Sequence, residues 1–287
     1  MPMTITEAMV RQFDTQMRLE NGQQESRLQR AITDRGIITG DSFTANMLSD
    51  DGATLTTNTT RHGDTIWMDA THLTPIATMA DYYDALPVDR ADEPKLLANP
   101  SGPYMDLLMR RKNRRIDKII YDAARGTQTL RDATTEALPS GQKIAHGSAG
   151  FTKAKLIECK KMFRAAECDE HNGEELFLTF DSRMLEDILA DTTLTSADYM
   201  AVKMLQSGDV SGKWMGFTWI PYQALYTASS VYYAIAWAKS AIQFGTGFVE
   251  GNMQRRGDKK DTLQISMAAS FAALRTQAEK VVEIAFQ

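Results

Sequence analysis

Cysteine, long apolar runs and, over one stretch, lysine are what this chain has least of. Only Cys159 and Cys168 occur in 287 residues, too few for a disulfide framework and suited to a reducing compartment. The longest unbroken apolar run is Val231 to Ala238, far short of the ~20 residues that cross a bilayer, so no membrane role is expected. Met1-Pro2-Met3-Thr4-Ile5-Thr6 carries neither a basic n-region nor an apolar h-region, and no secretory signal is read. Lysine is absent from residues 41–94, which hold nine Asp and one Glu against Arg61 and Arg90, a net of −8. The whole chain carries −5, so the remaining residues sum to +3. A charge this mild and of this sign excludes a protein that holds nucleic acid chiefly by charge. A hydrophobic content of 43% excludes intrinsic disorder. The length suits one large or two modest domains, and the chain reads as a soluble cytosolic product.

The pattern of apolar residues predicts the elements. Thr4 and Glu7 form a capping box ahead of Ile5, Met9, Phe13 and Met17, a short amphipathic helix over 4–19. Glu20 to Thr39 is polar and without period, an arm that frays unless partners hold it. Residues 41–75 read as a long projecting hairpin. Strand-like flanks at Ser42–Leu48 and from His72 onward enclose a tip with too little apolar material to build a core. Ser101-Gly102-Pro103 starts a helix that runs from Tyr104 to Arg125. Within it Arg110, Arg111, Lys112, Asn113, Arg114 and Arg115 cover every face at 100° per residue, so its middle must meet water or acidic partners. Further helices are expected at Thr152–Glu167, Arg183–Ala190 and Ala197–Gln206. Strands are expected at Leu176–Phe180, Trp214–Ile220 and Val231–Ala238, with an all-β end at Ala241–Glu250, Leu263–Phe271 and Val282–Phe286.

No motif in the chain marks a catalytic site. Gly208 and Gly212-Lys213 stand one residue too close for a P-loop, and Trp214 replaces the magnesium-binding hydroxyl. Gly245 and Gly247 give G-x-G, but Glu250 occupies the third glycine position. Gly147-Ser148-Ala149-Gly150 is not a nucleophile elbow. His62, His72, His146 and His171 lack ligand spacing; His62, Asp64 and His72 could meet at a metal or be ordinary loop residues. Cys159 reads as core and Cys168 as a surface thiol. The Asn58-Thr59-Thr60 sequon has no meaning without secretion. No catalytic, cofactor or metal residues are assigned, and the chain is expected not to be an enzyme. Arg110–Arg115 is the one candidate nucleic-acid feature, against the plainer reading of a solvated or salt-bridged belt. An arm and an acidic hairpin that make sense only against other molecules describe an assembly subunit.

At this point six blocks, in order along the chain, carry a resemblance. They are Thr60-Arg61-His62-Gly63-Asp64-Thr65, Leu138-Pro139-Ser140-Gly141-Gln142-Lys143-Ile144-Ala145-His146-Gly147, Thr195-Ser196-Ala197-Asp198-Tyr199, Met215-Gly216-Phe217, Ala236-Trp237-Ala238-Lys239 and Glu279-Lys280-Val281-Val282-Glu283-Ile284. The sequence resembles major capsid proteins of tailed bacteriophages with the Hong Kong 97-like fold, in a branch of short, unprocessed coat proteins. The resemblance implies an α+β fold with an N-terminal arm (1–40), an extended β-hairpin loop laid over a neighbour (41–75) and a peripheral domain (76–169) with a spine helix at 104–125. It further implies an axial domain (170–240) and C-terminal strands of the peripheral domain (241–287). Some relatives carry a fused scaffolding segment; about 40 residues precede the loop here, so a separate scaffolding protein or none is expected. Other relatives weld the loop to a neighbour through lysine, which the lysine-free loop cannot do.

The implied function is a shell subunit forming hexamers and pentamers around packaged double-stranded DNA in the virion, assembled in the host bacterial cytoplasm. The implied partners are other copies of itself, a portal, non-specific DNA and decoration proteins. Inter-subunit contacts are expected from Asp50, Asp51, Arg61 and Asp64 of the loop and Arg110, Arg111, Lys112, Arg114 and Arg115 of the helix. The acidic loop would dock on a neighbour's basic surface, either the Arg110–Arg115 belt or Lys153–Arg164, setting register more than affinity. Two rival readings are an encapsulin-type nanocompartment shell and a DNA-binding protein using the basic helix.

Overall fold

The computed structural model describes residues 22–48, 70–92, 101–190 and 213–287, with the single positions 19, 61, 64 and 67. The expected helices at 4–19 and 197–206 and the tip of the hairpin lie outside the described residues. The described chain is α+β, with helices α1 (Ser101–Arg125), α2 (Lys153–Ala165) and α3 (Ser182–Ala190) and several small sheets. It divides into two compact units.

One unit contains Asp81–Arg115 and Phe248–Ser270, with arm residues up to Glu25. The outer parts of two long strands, Ile242–Arg256 and Thr262–Arg275, form its hairpin around Gly257–Lys259. Lys260 and Asp261 take positive φ at the turn, and Arg90 pairs with Asp261 at 2.6 Å. The core is small: Val88, Leu108, Ile265 and Met267, flanked by Leu86, Tyr104, Met105 and Leu263. Leu108 and Tyr104 are one turn apart on α1, so that the apolar stripe of the helix meets alternate residues of the strand.

The second unit, Ser26–Ala80, Ile116–Gly247 and Phe271–Gln287, has a seven-stranded sheet. Its path runs through Lys213–Trp214, Phe217–Pro221, Leu176–Phe180, Val231–Ala238, Val281–Phe286 and Lys143–Ile144, with Tyr226–Ala228 paired to Val231–Ala238. Leu176–Phe180 lies between a parallel and an antiparallel neighbour, and all five of its residues are buried. This explains its unbroken apolar run. Aromatic edges fill the core: Phe151 meets Trp219 and Phe286 edge-on at 6.1 and 6.4 Å, and Phe163 meets Phe217 at 5.9 Å. A second sheet joins Ser42–Thr44, Pro75–Thr78, Gln128–Leu130 and Thr135–Glu136.

Several expectations are corrected. Trp214–Ile220 is two strands, because Met215 and Gly216 both take positive φ (53° and 82°) with Trp214 opposite Phe217, a two-residue turn of the primed kind. An apolar Met inside an aromatic run hid it. Within the polar arm, Thr33–Ile37 is a strand, parallel to Ile242–Arg256 and exposed throughout. Ala80–Val88 is a strand that no apolar alternation announced. Cys168 is buried rather than a surface thiol, since the chain after α2 turns back onto Phe163, whose carbonyl accepts its N–H at 2.9 Å.

Candidate functional site

The base of the acidic hairpin is built as expected. Met47 and Leu48 pair antiparallel with Leu73 and His72, and Ser42–Thr44 pairs with Ile76–Thr78 just beyond. From this base, Arg61, Asp64 and Trp67 are all exposed, Trp67 to 88%. Neither Arg61 nor Asp64 forms an ion pair with any described residue. Asp50 and Asp51 lie outside the described residues.

The basic belt of α1 is partly occupied within its own unit. Arg111 pairs with Asp84 at 2.6 Å, the Arg115 guanidinium lies 4.9 Å from the Tyr82 ring centre, and Asn113 donates to the Gln24 carbonyl at 2.7 Å. Arg110 is half-buried and engaged. Lys112 and Arg114 make no ion pair among the described residues. The belt therefore meets an acidic partner, Asp84, that the sequence did not single out. On α2, Lys160 pairs with Glu170 at 2.5 Å and Arg164 with Asp169 at 3.1 Å, whereas Lys153 and Lys161 are exposed without a described ion-pair partner.

Charged groups that the sequence reading passed over hold the second unit together. Asp117, fully buried, accepts from Ser26 Oγ at 2.6 Å and from the Arg27 and Leu28 amides at 3.1 Å. Arg27 donates to Pro221 O at 2.8 Å, and Trp237 Nε1 to Ala31 O at 2.9 Å. Residues 26–31 of the arm are thus tied down by α1 and the sheet. The clue was an aspartate amid Ile116, Ile119 and Ile120, since a carboxylate among apolar neighbours needs donors. Arg275, also fully buried, donates to Ala124 O in the last turn of α1 and to Gly126 O just past its end, at 3.1 and 2.9 Å, capping the helix C-terminus. Lys155 donates to the carbonyls of His146, Ala149 and Gly150 at 2.8–3.0 Å.

Two described groups of nucleophilic type are shielded. Burial pushes the Cys159 thiol up strongly and the Cys168 thiol up to about 11, so neither is a nucleophile at neutral pH. Burial likewise raises the Tyr121 and Tyr222 hydroxyls; Tyr121 donates to Tyr233 O and accepts from the Tyr226 amide. Among the described residues no three His, Cys, Asp or Glu side chains could hold a metal ion, and His72 of the considered trio is exposed. No described helix is long and apolar enough to cross a membrane.

The described chain is α+β, and solved structures agree with it in fold. The capsid asymmetric unit of cyanophage Pam1 superposes with TM-score 0.72 at 12% identity, covering 99% of this chain and 97% of that one. A structure of Mycobacterium phage Che8 gives 0.70 at 13%, covering 96% of each. The capsid of cyanophage P-SCSP1u gives 0.70 at 13%, covering 100% and 95%.

The chain belongs to the phage capsid protein family, whose model matches residues 5–287. No curated protein matches it. It is a capsid structural protein, and neither the nanocompartment nor the DNA-binding reading finds support in these matches.

Proposed function

We propose that this chain is the major subunit of an icosahedral shell, arranged as hexamers and pentamers around packaged double-stranded DNA. The observation that carries the reading is the family match across 5–287. Its principal partners are other copies of itself, as in the capsid asymmetric unit of Pam1. A separate scaffolding protein, a portal and decoration proteins complete the assembly, with non-specific contact to DNA. The net charge of −5 suits a shell filled by an external motor, which need not neutralise its genome. The protein works without catalysis, in the virion, after assembly in the host bacterial cytoplasm. In this reading residues 1–40 are the arm, 41–75 the extended loop, and 76–169 with 241–287 the peripheral domain, its spine helix at 104–125. Residues 170–240 form the axial domain.

The acidic loop docks on a neighbour's basic surface. On the two candidate surfaces Lys112, Arg114, Lys153 and Lys161 have no described ion-pair partner and are candidate cations for Asp50, Asp51 and Asp64. Charge reversal at Asp50 and Asp51 is expected to disturb assembly; normal shells with unchanged salt tolerance from that variant would remove the docking role.

Negative-stain microscopy of the chain expressed alone and with its neighbouring genes tests the function. Uniform closed shells filled with DNA are expected. Shells filled with cargo enzymes would favour a nanocompartment instead. A persistent monomer with tight, steeply salt-dependent duplex binding would favour the DNA-binding reading.

A further inference from the structure

The four tryptophans are treated very differently by the fold. Trp214, Trp219 and Trp237 are 5%, 4% and 1% exposed, whereas Trp67 is 88% exposed. A tryptophan in water on a Thr- and Asp-rich hairpin contributes nothing to its own subunit, yet tryptophan is among the residues that dominate binding energy at protein interfaces.

The unit that contains the first half of α1 carries an apolar surface to match. Gly251 has no side chain, and the Met105 sulfur and methyl lie 3.4 Å from where its Cβ would stand, so Met105 rests on the strand backbone. Val249 and Met253 flank Gly251 on the same face of the strand, and Met109 lies one turn along α1 from Met105. Met109, Val249 and Met253 are 46%, 46% and 44% exposed. Three methionines and a valine thus adjoin on the surface. Methionine is polarizable, adapts its shape, and makes favourable sulfur–aromatic contacts. Arg255 lies on the same strand face two residues on. This places positive charge beside the apolar patch, while Asp64 and Asp69 stand beside Trp67 in sequence.

We propose that Trp67 of one copy seats on the Met105–Met109–Val249–Met253 patch of a second copy, with the acidic hairpin laid against the Arg255 side that borders it. The inference rests on the shell-subunit reading and names the anchor and its receptor. Apolar contact supplies the affinity of the joint and the opposite charges its register.

The test compares acrylamide quenching of tryptophan fluorescence in unassembled full-length subunits and in assembled particles. A Trp67→Phe chain supplies the background of the three buried tryptophans. Trp67 should be quenched freely in the subunit and protected in the particle, with a blue-shifted emission. Trp67→Ala and Met253→Arg should each weaken association by about 30-fold per contact, read from the denaturant concentration that dissociates particles. Cysteines placed at 67 and 253 should cross-link copies only when both are present. Particles in which Trp67 stays fully quenchable, or which both variants form with undiminished resistance to dissociation, would overturn the proposal while leaving the shell reading intact. A wild-type chain that never forms particles would overturn both.

Discussion

Ser26 donates its hydroxyl proton to the Asp117 carboxylate at 2.6 Å, across 91 positions of sequence. The same carboxylate takes the backbone amides of Arg27 and Leu28, so one side chain of α1 satisfies three donors where the arm enters the second unit. A buried carboxylate is tolerated because it is fully used, and the amides are tolerated for the same reason.

Replacing Asp117 with Ala takes the acceptor from the buried Leu28 amide, the half-buried Arg27 amide and the Ser26 hydroxyl. The expected cost is about 2–4 kcal/mol, against about 1 kcal/mol for Ser26→Ala. Urea unfolding measures the loss, and limited proteolysis should show cleavage in residues 22–32 appearing first in Asp117→Ala.

Arg125 and Glu283 form a partly sheltered ion pair at 2.5 Å, with the Glu283 side chain only 6% exposed. The guanidinium also lies 3.8 Å from the Tyr226 ring centre. Arg125→Ala strands the carboxylate and should destabilise by about 3–5 kcal/mol. Arg125→Met with Glu283→Gln should recover much of that, because no uncompensated charge remains. A double-mutant cycle in urea reads the coupling.

Gly216 stands at φ 82°, and a Cβ there would come within 2.5 Å of Lys160 Nζ, in the Lys160–Glu170 ion pair. Gly216→Ala should cost about 1–3 kcal/mol through backbone strain and displacement of that pair. In a Lys160→Ala, Glu170→Ala background, which removes both side chains that the Cβ would meet, Gly216→Ala should cost only the strain of positive φ. Thermal unfolding of Gly216→Ala in the native and in the truncated background separates the two.

Acid should weaken the subunit through Glu174. Burial raises its pKa, but hydrogen bonds from Ser240 and Lys280 and the Lys280 charge outweigh burial and hold it below the ordinary 4.5. A carboxylate with a depressed folded pKa stabilises fully above its unfolded value and loses that contribution as pH falls. The urea midpoint should therefore be flat near neutrality and fall below pH ~4.5. Lys280→Met should make that fall shallower.

The secondary structure was largely legible in the sequence. The apolar run Leu176–Phe180, the alternation from Leu263 and the two apolar groups of α1 each mark an element by local periodicity, which depends only on which faces must leave water. The Met215-Gly216 turn was not, because its methionine continued the apolar pattern while the backbone reversed. The surface candidates were half legible. Arg110–Arg115 stood out as a belt, but that Arg111 already faces Asp84 and Arg115 faces Tyr82 depended on a strand, Ala80–Val88, with no clear alternation of its own.

By itself the sequence determined the partition of charge, the absence of lysine from residues 41–94, and membership of the phage capsid protein family. Tertiary structure alone decided that Asp117 receives the arm, that Cys168 is enclosed, and that Trp67 is left in water while Trp214, Trp219 and Trp237 are buried. The physical reason is range. Periodicity and charge are properties of neighbours along the chain, whereas burial is set by segments that meet from far apart, as Trp237 meets Ala31 across 206 positions.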